Sequence, residues 1–172
     1  MSVFVIAPLE LDSVDAARLG ALRKAHDPHA EIVKPHITLV FALDDGLETE
    51  AQRWSRIHAA TFSAFALRLT VATVARDYEN SAWYLFLMPH RIPPGLAELH
   101  RRLNSGALAS APDVPLDGHV TVGRFDERIL AEAVARDANG EGIAIDTHIE
   151  TLEVVRFDGT AVRSRVVLPL GE

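Results

Sequence analysis

The sequence contains one short pattern twice, as Pro35-His36-Ile37-Thr38-Leu39 and as Gly118-His119-Val120-Thr121-Val122. Successive side chains of a β-strand point to opposite faces, so each copy places an imidazole and a hydroxyl on one face and aliphatic side chains on the other. The aliphatic side chains can anchor each strand in a core and so fix the polar pair. The copies lie about half the chain apart, which predicts one site built from two halves of the molecule.

The repetition makes the pattern more informative than either histidine alone. From composition, one such match is expected on the order of 0.05 times per chain and two matches on the order of 0.001 times. A lone histidine of this kind is more readily explained by a bond to a backbone carbonyl, but the repeated threonine favours a functional site. A zinc site is the main competing interpretation. The chain has no cysteine and no H-x-x-x-H or H-E-x-x-H sequence, so neither a metal nor another cofactor is expected.

Length and charge limit the class of protein. The 172 residues fit a single domain, 1–172, with two lobes that each contribute one motif. The apolar run at 3–9 is too short for a membrane span and lacks the basic residues that open a signal peptide, so we expect a cytoplasmic protein. The net charge of −7 argues against a protein that coats nucleic acid. If nucleic acid is bound, an end or a short piece is expected.

Hydrophobic periodicity predicts alternating strands and helices. Strands are predicted at 2–8, 31–42, 63–76, 82–88, 120–125, 142–157 and 162–168, with helices that begin near 12, 47, 93 and 127. A turn at 77–80 joins the two central strands as a hairpin. Hairpin signals outnumber parallel crossovers, so the sequence predicts a duplicated α+β unit with largely antiparallel sheets and helices on the outer faces.

The paired motifs suit the hydrolysis of a phosphodiester. That reaction needs a base to deprotonate water, an acid to protonate the leaving oxygen, and donors that neutralise the non-bridging oxygens. His36 and His119 can supply the base and the acid, because one imidazole can be neutral while the other is protonated near pH 7. The hydroxyls of Thr38 and Thr121 can donate to the phosphate oxygens. This scheme requires no metal.

With these motifs the chain resembles the 2H phosphoesterase superfamily, which includes bacterial 2′-5′ RNA ligase-like proteins and 2′,3′-cyclic nucleotide phosphodiesterases. The resemblance extends to Phe4-Val5-Ile6-Ala7, to the stretch from Tyr84 into the following helix, and to Gly123-Arg124-Phe125. It implies a bilobal, pseudo-twofold α+β fold in which both motif strands face a central cleft. It also implies hydrolysis of RNA 2′,3′-cyclic phosphates, typically to 2′-phosphates, with His36 as proton donor, His119 as base, and both threonines as phosphate ligands. From the residues alone, either histidine can take either role.

Four further residues are candidates for substrate binding. Arg124 falls on the face opposite His119 by strict alternation, unless a bulge at Gly123 turns the strand. Lys34 shares the parity of His36 and could add positive charge to the cleft, or it could be a solvated lysine at the start of the strand. Tyr84 and Phe86 could stack on a nucleobase, or they could pack in the core as buried aromatic residues usually do.

Three functions remain open at this point. The leading hypothesis is a metal-independent phosphodiesterase that opens 2′,3′-cyclic phosphates on RNA ends or small nucleotides. The alternatives are a non-catalytic module that binds a phosphate or an RNA end in the same cleft, and a 2′-5′ RNA ligase-type activity of the same four residues. Nothing in the sequence indicates an obligate protein partner. The chain has no G-x-S-x-G, P-loop or G-x-G-x-x-G sequence, which argues against serine hydrolases, P-loop NTPases and dinucleotide-binding proteins.

Overall fold

A computed structural model describes residues 1–77 and 81–171. Its strands are β1 (Ser2–Pro8), β2 (Glu10–Leu11), β3 (His36–Asp44), β4 (Phe65–Asp77), β5 (Ala82–Pro89), β6 (Val120–Phe125), β7 (Ile145–Ile149), β8 (Thr151–Phe157) and β9 (Val162–Pro169). They form two sheets, of order β3-β1-β8-β9 and β2-β7-β4-β5-β6. Every pairing between these strands is antiparallel. The motif strands β3 and β6 are therefore each the last strand of a sheet.

Four α-helices are present in the described residues: α1 (Ser13–His26), α2 (Glu48–Ala59), α3 (Pro94–Leu103) and α4 (Arg128–Gly140). The Asp12 carboxylate caps α1 by accepting hydrogen bonds from the backbone N–H groups of Val14 and Asp15, both at 2.8 Å, which satisfies donors that a helix start leaves unpaired. The helix α3 begins at Pro94, which needs no N–H partner there. No helix of the described residues is both long and apolar enough to cross a membrane.

The helices tie the two sheets together. The helix α1 follows β1 of the first sheet but packs on β6 and β7 of the second, whereas α3 follows β5 of the second sheet and packs on β3 of the first. The helix α2 covers β8 and β9, and α4 covers β4, β5 and β6. This exchange relates the two halves by pseudo-twofold symmetry and leaves the opposite face of each sheet free of helices. The predicted bilobal α+β class, with antiparallel sheets and outer helices, is confirmed.

Most predicted elements are present, but two strand predictions were wrong. The strand predicted at 31–42 begins only at His36, because the preceding segment is a loop held by other contacts: the Pro35 carbonyl accepts from Leu9 N at 3.0 Å, and the Val33 carbonyl accepts from Arg23 at 2.9 Å. The strand predicted at 142–157 is two strands, β7 and β8, which belong to different sheets. The short strand β2 was not predicted. The predicted turn at 77–80 falls on residues Tyr78, Glu79 and Asn80, which lie outside the described residues.

Each motif strand carries a bulge directly after its threonine. On β3, Thr38 pairs with Ile6 and Val40 pairs with Val5, so β3 has one residue more than its neighbour. On β6, the same shift separates Thr121 from Gly123. The two bulge residues of each strand are buried toward the helices (Leu39, Val40, Val122 and Gly123). Because two consecutive residues point to the core, the residue after the bulge points to the face that carries the His and Thr of the motif.

The packing of α3 should be essential to the stability of the fold. The Leu99 side chain is fully buried between α3 and the first sheet, so Leu99→Ala should lower the free energy of unfolding by about 2 to 5 kcal/mol, measured by urea denaturation. Ile129→Ala on α4 is the control, since Ile129 is 70% exposed and its truncation should change stability by no more than about 0.5 kcal/mol. A loss below about 1 kcal/mol for Leu99→Ala would contradict this packing.

Candidate active site

The two motifs meet where the end strands of the sheets adjoin, since β3 and β6 contact each other. The aliphatic side chains Ile37, Leu39, Val120 and Val122 are at most 1% exposed and point to the helix-covered core. Alternation therefore turns His36, Thr38, His119 and Thr121, all half-buried, to the helix-free faces. A positive charge on His119 is one of the influences on the pKa of His36, so the two imidazoles lie within one electrostatic environment.

His36 is held in one orientation by its own chain. Its Nδ1 lies 2.8 Å from the Lys34 carbonyl oxygen, which can only accept, so Nδ1 carries the proton and Nε2 is left as an acceptor. Burial lowers the pKa of His36 to about 4, against a smaller raising effect of the Lys34 carbonyl and a further lowering by the Arg23 charge. His36 is therefore neutral at pH 7 in the free protein.

A buried ion pair supports the loop that carries the Lys34 carbonyl. The side chains of Arg23 and Asp27 are 5% and 4% exposed and lie 2.7 Å apart. Arg23 also donates to the carbonyl oxygen of Val33 at 2.9 Å, and the Asp27 carboxylate accepts from the backbone N–H of His29 at 2.9 Å. The sequence analysis missed this pair, although an Arg and an Asp four residues apart at a helix end were a usable signal.

His119 is oriented differently, by a carboxylate. Asp117 Oδ1 accepts from the backbone N–H of His119 at 3.0 Å and from its Nδ1 at 2.6 Å. Gly118 between them has φ +72°, and a Cβ there would lie 3.0 Å from the Pro89 ring, so the tight turn at this point requires glycine. Asp117 was missed in the sequence, where an acid two residues before the motif histidine was the available signal.

Aromatic side chains line the cleft beside His119. The Phe86 ring stacks on the His119 imidazole, with centroids 4.0 Å apart and planes 21° apart, and the Tyr84 ring stacks on Phe86 at 5.7 Å. Leu85, which alternates with them, is fully buried in the core. The face of Phe86 is thus occupied by the imidazole. Burial raises the pKa of the Tyr84 phenol, and the Asp77 carboxylate raises it further.

The bulge on β6 decides the position of Arg124. Tyr84 is the cross-strand partner of Arg124, while Phe86 is the partner of Thr121, so Arg124 and Thr121 share the cleft face although strict alternation would separate them. A Cβ on Gly123 would lie 2.8 Å from the Phe125 ring and 3.0 Å from a carbon of His26, which shows how closely the bulge packs on α1. The Arg124 side chain is exposed.

Lys34 lies before the first residue of β3, so strand parity does not fix the direction of its side chain. That side chain is exposed, and it is the backbone carbonyl of Lys34 that contacts His36. Among residues 1–77 and 81–171, no group of three or more His, Asp or Glu side chains is close enough to hold a metal ion.

A small pocket adjoins the first motif. It has a volume of about 150 Å³, includes His36 and Thr38 in its wall, and is otherwise formed mainly by apolar side chains of the first sheet. These side chains are Phe4, Ile6, Val155, Phe157 and Val162. Sequence reasoning missed the pocket because Val155 and Phe157 come from β8, which only the sheet pairing brings next to β1.

Two sheets whose end strands each present a His-x-Thr pair to one cleft define the class of 2H phosphoesterases. The model of the family described as the 2′-5′ RNA ligase superfamily matches residues 11–161. The chain belongs to this superfamily.

Individual relatives agree with the family. A Geobacillus sp. (strain WCH70) protein named "putative phosphoesterase" is 33% identical over 133 residues, which are 76% of this chain and 72% of that protein. A Geobacillus kaustophilus protein of the same description is 31% identical over 109 residues, 61% of this chain and 60% of its own length.

Solved structures share the fold. Kluyveromyces marxianus Usb1 is similar with a TM-score of 0.60 at 14% identity, over 98% of both chains. The apo form of Escherichia coli LigT is similar with a TM-score of 0.56 at 19% identity, over 99% of this chain and 98% of LigT. At these identities the likeness is one of fold.

The lowered pKa of His36 should be visible by NMR. The imidazole ¹⁵N shifts of His36 should remain those of the neutral Nδ1–H tautomer from pH 8 to about 5 and change only near pH 4. Because the unfolded chain takes up this proton near pH 6.5 and the folded chain only near 4, the wild type should lose stability relative to His36→Gln as the pH falls through that window. A His36 midpoint above pH 6 would contradict this environment.

Proposed function

We propose that the protein is a metal-independent phosphodiesterase that hydrolyses 2′,3′-cyclic phosphates of RNA ends or nucleotides to 2′-phosphates, and that residues 1–172 act as one catalytic domain. The observation that carries the proposal is the pair of imidazoles on adjoining strands, each with Nδ1 bound to an oxygen acceptor and Nε2 left for the substrate. Acid and base catalysis of phosphodiester hydrolysis needs two such groups, one on each side of phosphorus.

The electrostatics of the free protein favour His36 as the base. The neutral His36 ring, with its unprotonated Nε2, accepts a proton from a water molecule. The oxygen of that water then bonds to phosphorus. The bond from phosphorus to the 3′ oxygen breaks, and His119 Nε2 gives its proton to that oxygen. Asp117 stabilises the charge that His119 carries before this step. These roles are the reverse of those implied by the resemblance.

The remaining cleft residues would bind the substrate. The Thr38 hydroxyl lies on the same strand face as His36, and the Thr121 hydroxyl lies on the same strand face as His119. Both hydroxyls can donate hydrogen bonds to the non-bridging phosphate oxygens as the negative charge on these oxygens grows. Arg124, which the bulge places on the same face, would add a charged donor, and exposed Lys34 a weaker and more distant one. Tyr84 remains available to stack on a base, whereas Phe86 would act mainly by holding the His119 ring.

The apolar pocket beside His36 and Thr38 suits a nucleobase or ribose attached to the bound phosphate, since ligand sites combine apolar walls with a few polar groups. The fold neighbours are consistent with nucleotide ligands. Usb1 has been solved with uridine monophosphate, and LigT with 3′-AMP and with phosphate. The expected ligand of this chain is accordingly an RNA end with a 2′,3′-cyclic phosphate or a small cyclic nucleotide.

Turnover of 2′,3′-cyclic nucleotides in the presence of EDTA is the first expected result. His36→Ala and His119→Ala should each lower kcat/KM by about 10² to 10⁴, while His148→Ala, which removes an exposed histidine away from the motifs, should leave mononucleotide turnover unchanged. Phosphorus NMR would identify the product as a 2′-phosphate. Saturable binding without product would support the non-catalytic module instead, and a linear 2′-5′ dinucleotide would support ligation.

A substrate with a good leaving group separates the base from the acid. A nucleoside p-nitrophenyl phosphodiester needs no protonation of its leaving group, so His119→Ala should hydrolyse it within about tenfold of the wild type, whereas His36→Ala should remain at least 10²-fold slower. If His36→Ala keeps activity on this substrate and His119→Ala loses it, His36 is the proton donor and His119 the base, as the resemblance implies. Circular dichroism spectra of both variants serve as the folding control.

A further inference from the structure

A second pocket lies on the second sheet, and no residue of either motif is part of its wall. Its volume is about 340 Å³, and its wall includes Arg68, His90, Arg91, Asp146 and His148. All five side chains are exposed. The acid and base chemistry described above uses none of them.

The strand register places this pocket on the same sheet face as the active site. Phe86, which stacks on His119, pairs with Thr73, and Met88 pairs with Val71. Beyond a bulge at residue 70, the carbonyl oxygen of Arg68 accepts from the backbone N–H of His90 at 2.9 Å. His90 directly follows the last residue of β5, and this hydrogen bond holds it beside Arg68. Arg68 is exposed and alternates with buried Leu67 and Leu69, so its side chain points to the helix-free face.

The neighbouring strand continues the same face. Asp146 pairs with Arg68, and His148 pairs with Ala66. The residues that alternate with Asp146 and His148 are buried on the helix side. These buried residues are Ile145, Thr147 and Ile149. Arg68, Asp146 and His148 therefore lie on the helix-free face that also carries Phe86.

The charge of the pocket is opposite to that of the chain. The protein carries a net charge of −7, yet the wall of this pocket contains two guanidinium groups and two imidazoles but a single carboxylate. Arg68 lies 3.4 Å from Asp146, but their side chains are 58% and 66% exposed, so the pair is weak and Arg68 can also contact an anion. Within the described residues, Arg91 takes part in no ion pair.

We propose that this pocket binds a second phosphate group of the substrate. Asp146 and His148 lie on β7, three strand spacings from the motif strand β6, which corresponds to about 14 Å across the sheet. A cyclic mononucleotide held at the histidines carries no phosphate at that distance, whereas an oligonucleotide with a terminal cyclic phosphate does. The pocket thus selects RNA ends of about three nucleotides over mononucleotides. The identity of the substrate rests on the proposed function, but phosphate binding by the pocket does not.

The kinetic test compares two substrates, uridine 2′,3′-cyclic phosphate and a uridine trinucleotide that ends in a 2′,3′-cyclic phosphate. The wild type should show a KM for the trinucleotide about tenfold lower. Arg91→Glu should remove this difference by raising the trinucleotide KM, without changing kcat or the mononucleotide KM. Arg136→Glu on α4, the matched charge reversal on the outer surface, should change neither substrate. Equal wild-type KM values, or an equal effect of Arg91→Glu on both substrates, would overturn the proposal.

A binding measurement keeps the test independent of turnover. In His119→Ala protein, fluorescence anisotropy would follow a labelled uridine trinucleotide with a 3′-phosphate as the salt concentration is varied. Arg91→Ala in that background should weaken binding several-fold and reduce the slope of log K against log salt by about 0.7, which is the loss of one single-strand phosphate contact. An unchanged slope would contradict the proposal that the pocket binds a phosphate group. If the wild type hydrolyses neither substrate while Arg91→Ala still reduces the slope of log K against log salt, the proposed function is wrong, but phosphate binding by the pocket is supported.

Discussion

The burial of the aliphatic side of the two motif strands is the constraint on which the site depends. Ile37 and Leu39 on β3, and Val120 and Val122 on β6, are held in the core by helices that come from the other half of the chain. A strand buried on one face cannot slip by one residue without exposing that face. Because the register is fixed in this way, the histidines and threonines can only face the cleft.

The two histidines reach a similar orientation by different means. A backbone carbonyl of a loop, itself held by the buried pair of Arg23 and Asp27, binds His36, whereas an exposed carboxylate binds His119. Burial lowers the pKa of His36 by more than the Lys34 carbonyl raises it, whereas Asp117 provides a negative charge beside His119. A symmetric backbone thus carries an electrostatically asymmetric pair, as a reaction with one base and one acid requires.

The two sheets also offer different surfaces to a substrate. The first sheet adds an apolar pocket next to His36, and the second carries, besides Phe86, a pocket whose wall includes Arg68 and Arg91. An apolar wall suits a nucleobase, and separated positive charges suit the successive phosphates of an oligonucleotide. The pseudo-twofold fold therefore does not imply that the substrate is bound symmetrically.

The sequence by itself determined the repeated His-x-Thr pattern, the alternation that turns those four side chains to one face, and the antiparallel α+β class. Local periodicity carries this information because a strand needs only its own residues to separate its two faces. Tertiary structure decided the rest. It split 142–157 between two sheets, since periodicity does not report which strand is the partner. A bulge places Arg124 on the cleft face, and Asp117 and the pair of Arg23 and Asp27 orient the histidines through hydrogen bonds. Register shifts and hydrogen bonds depend on spatial neighbours that the local sequence does not specify.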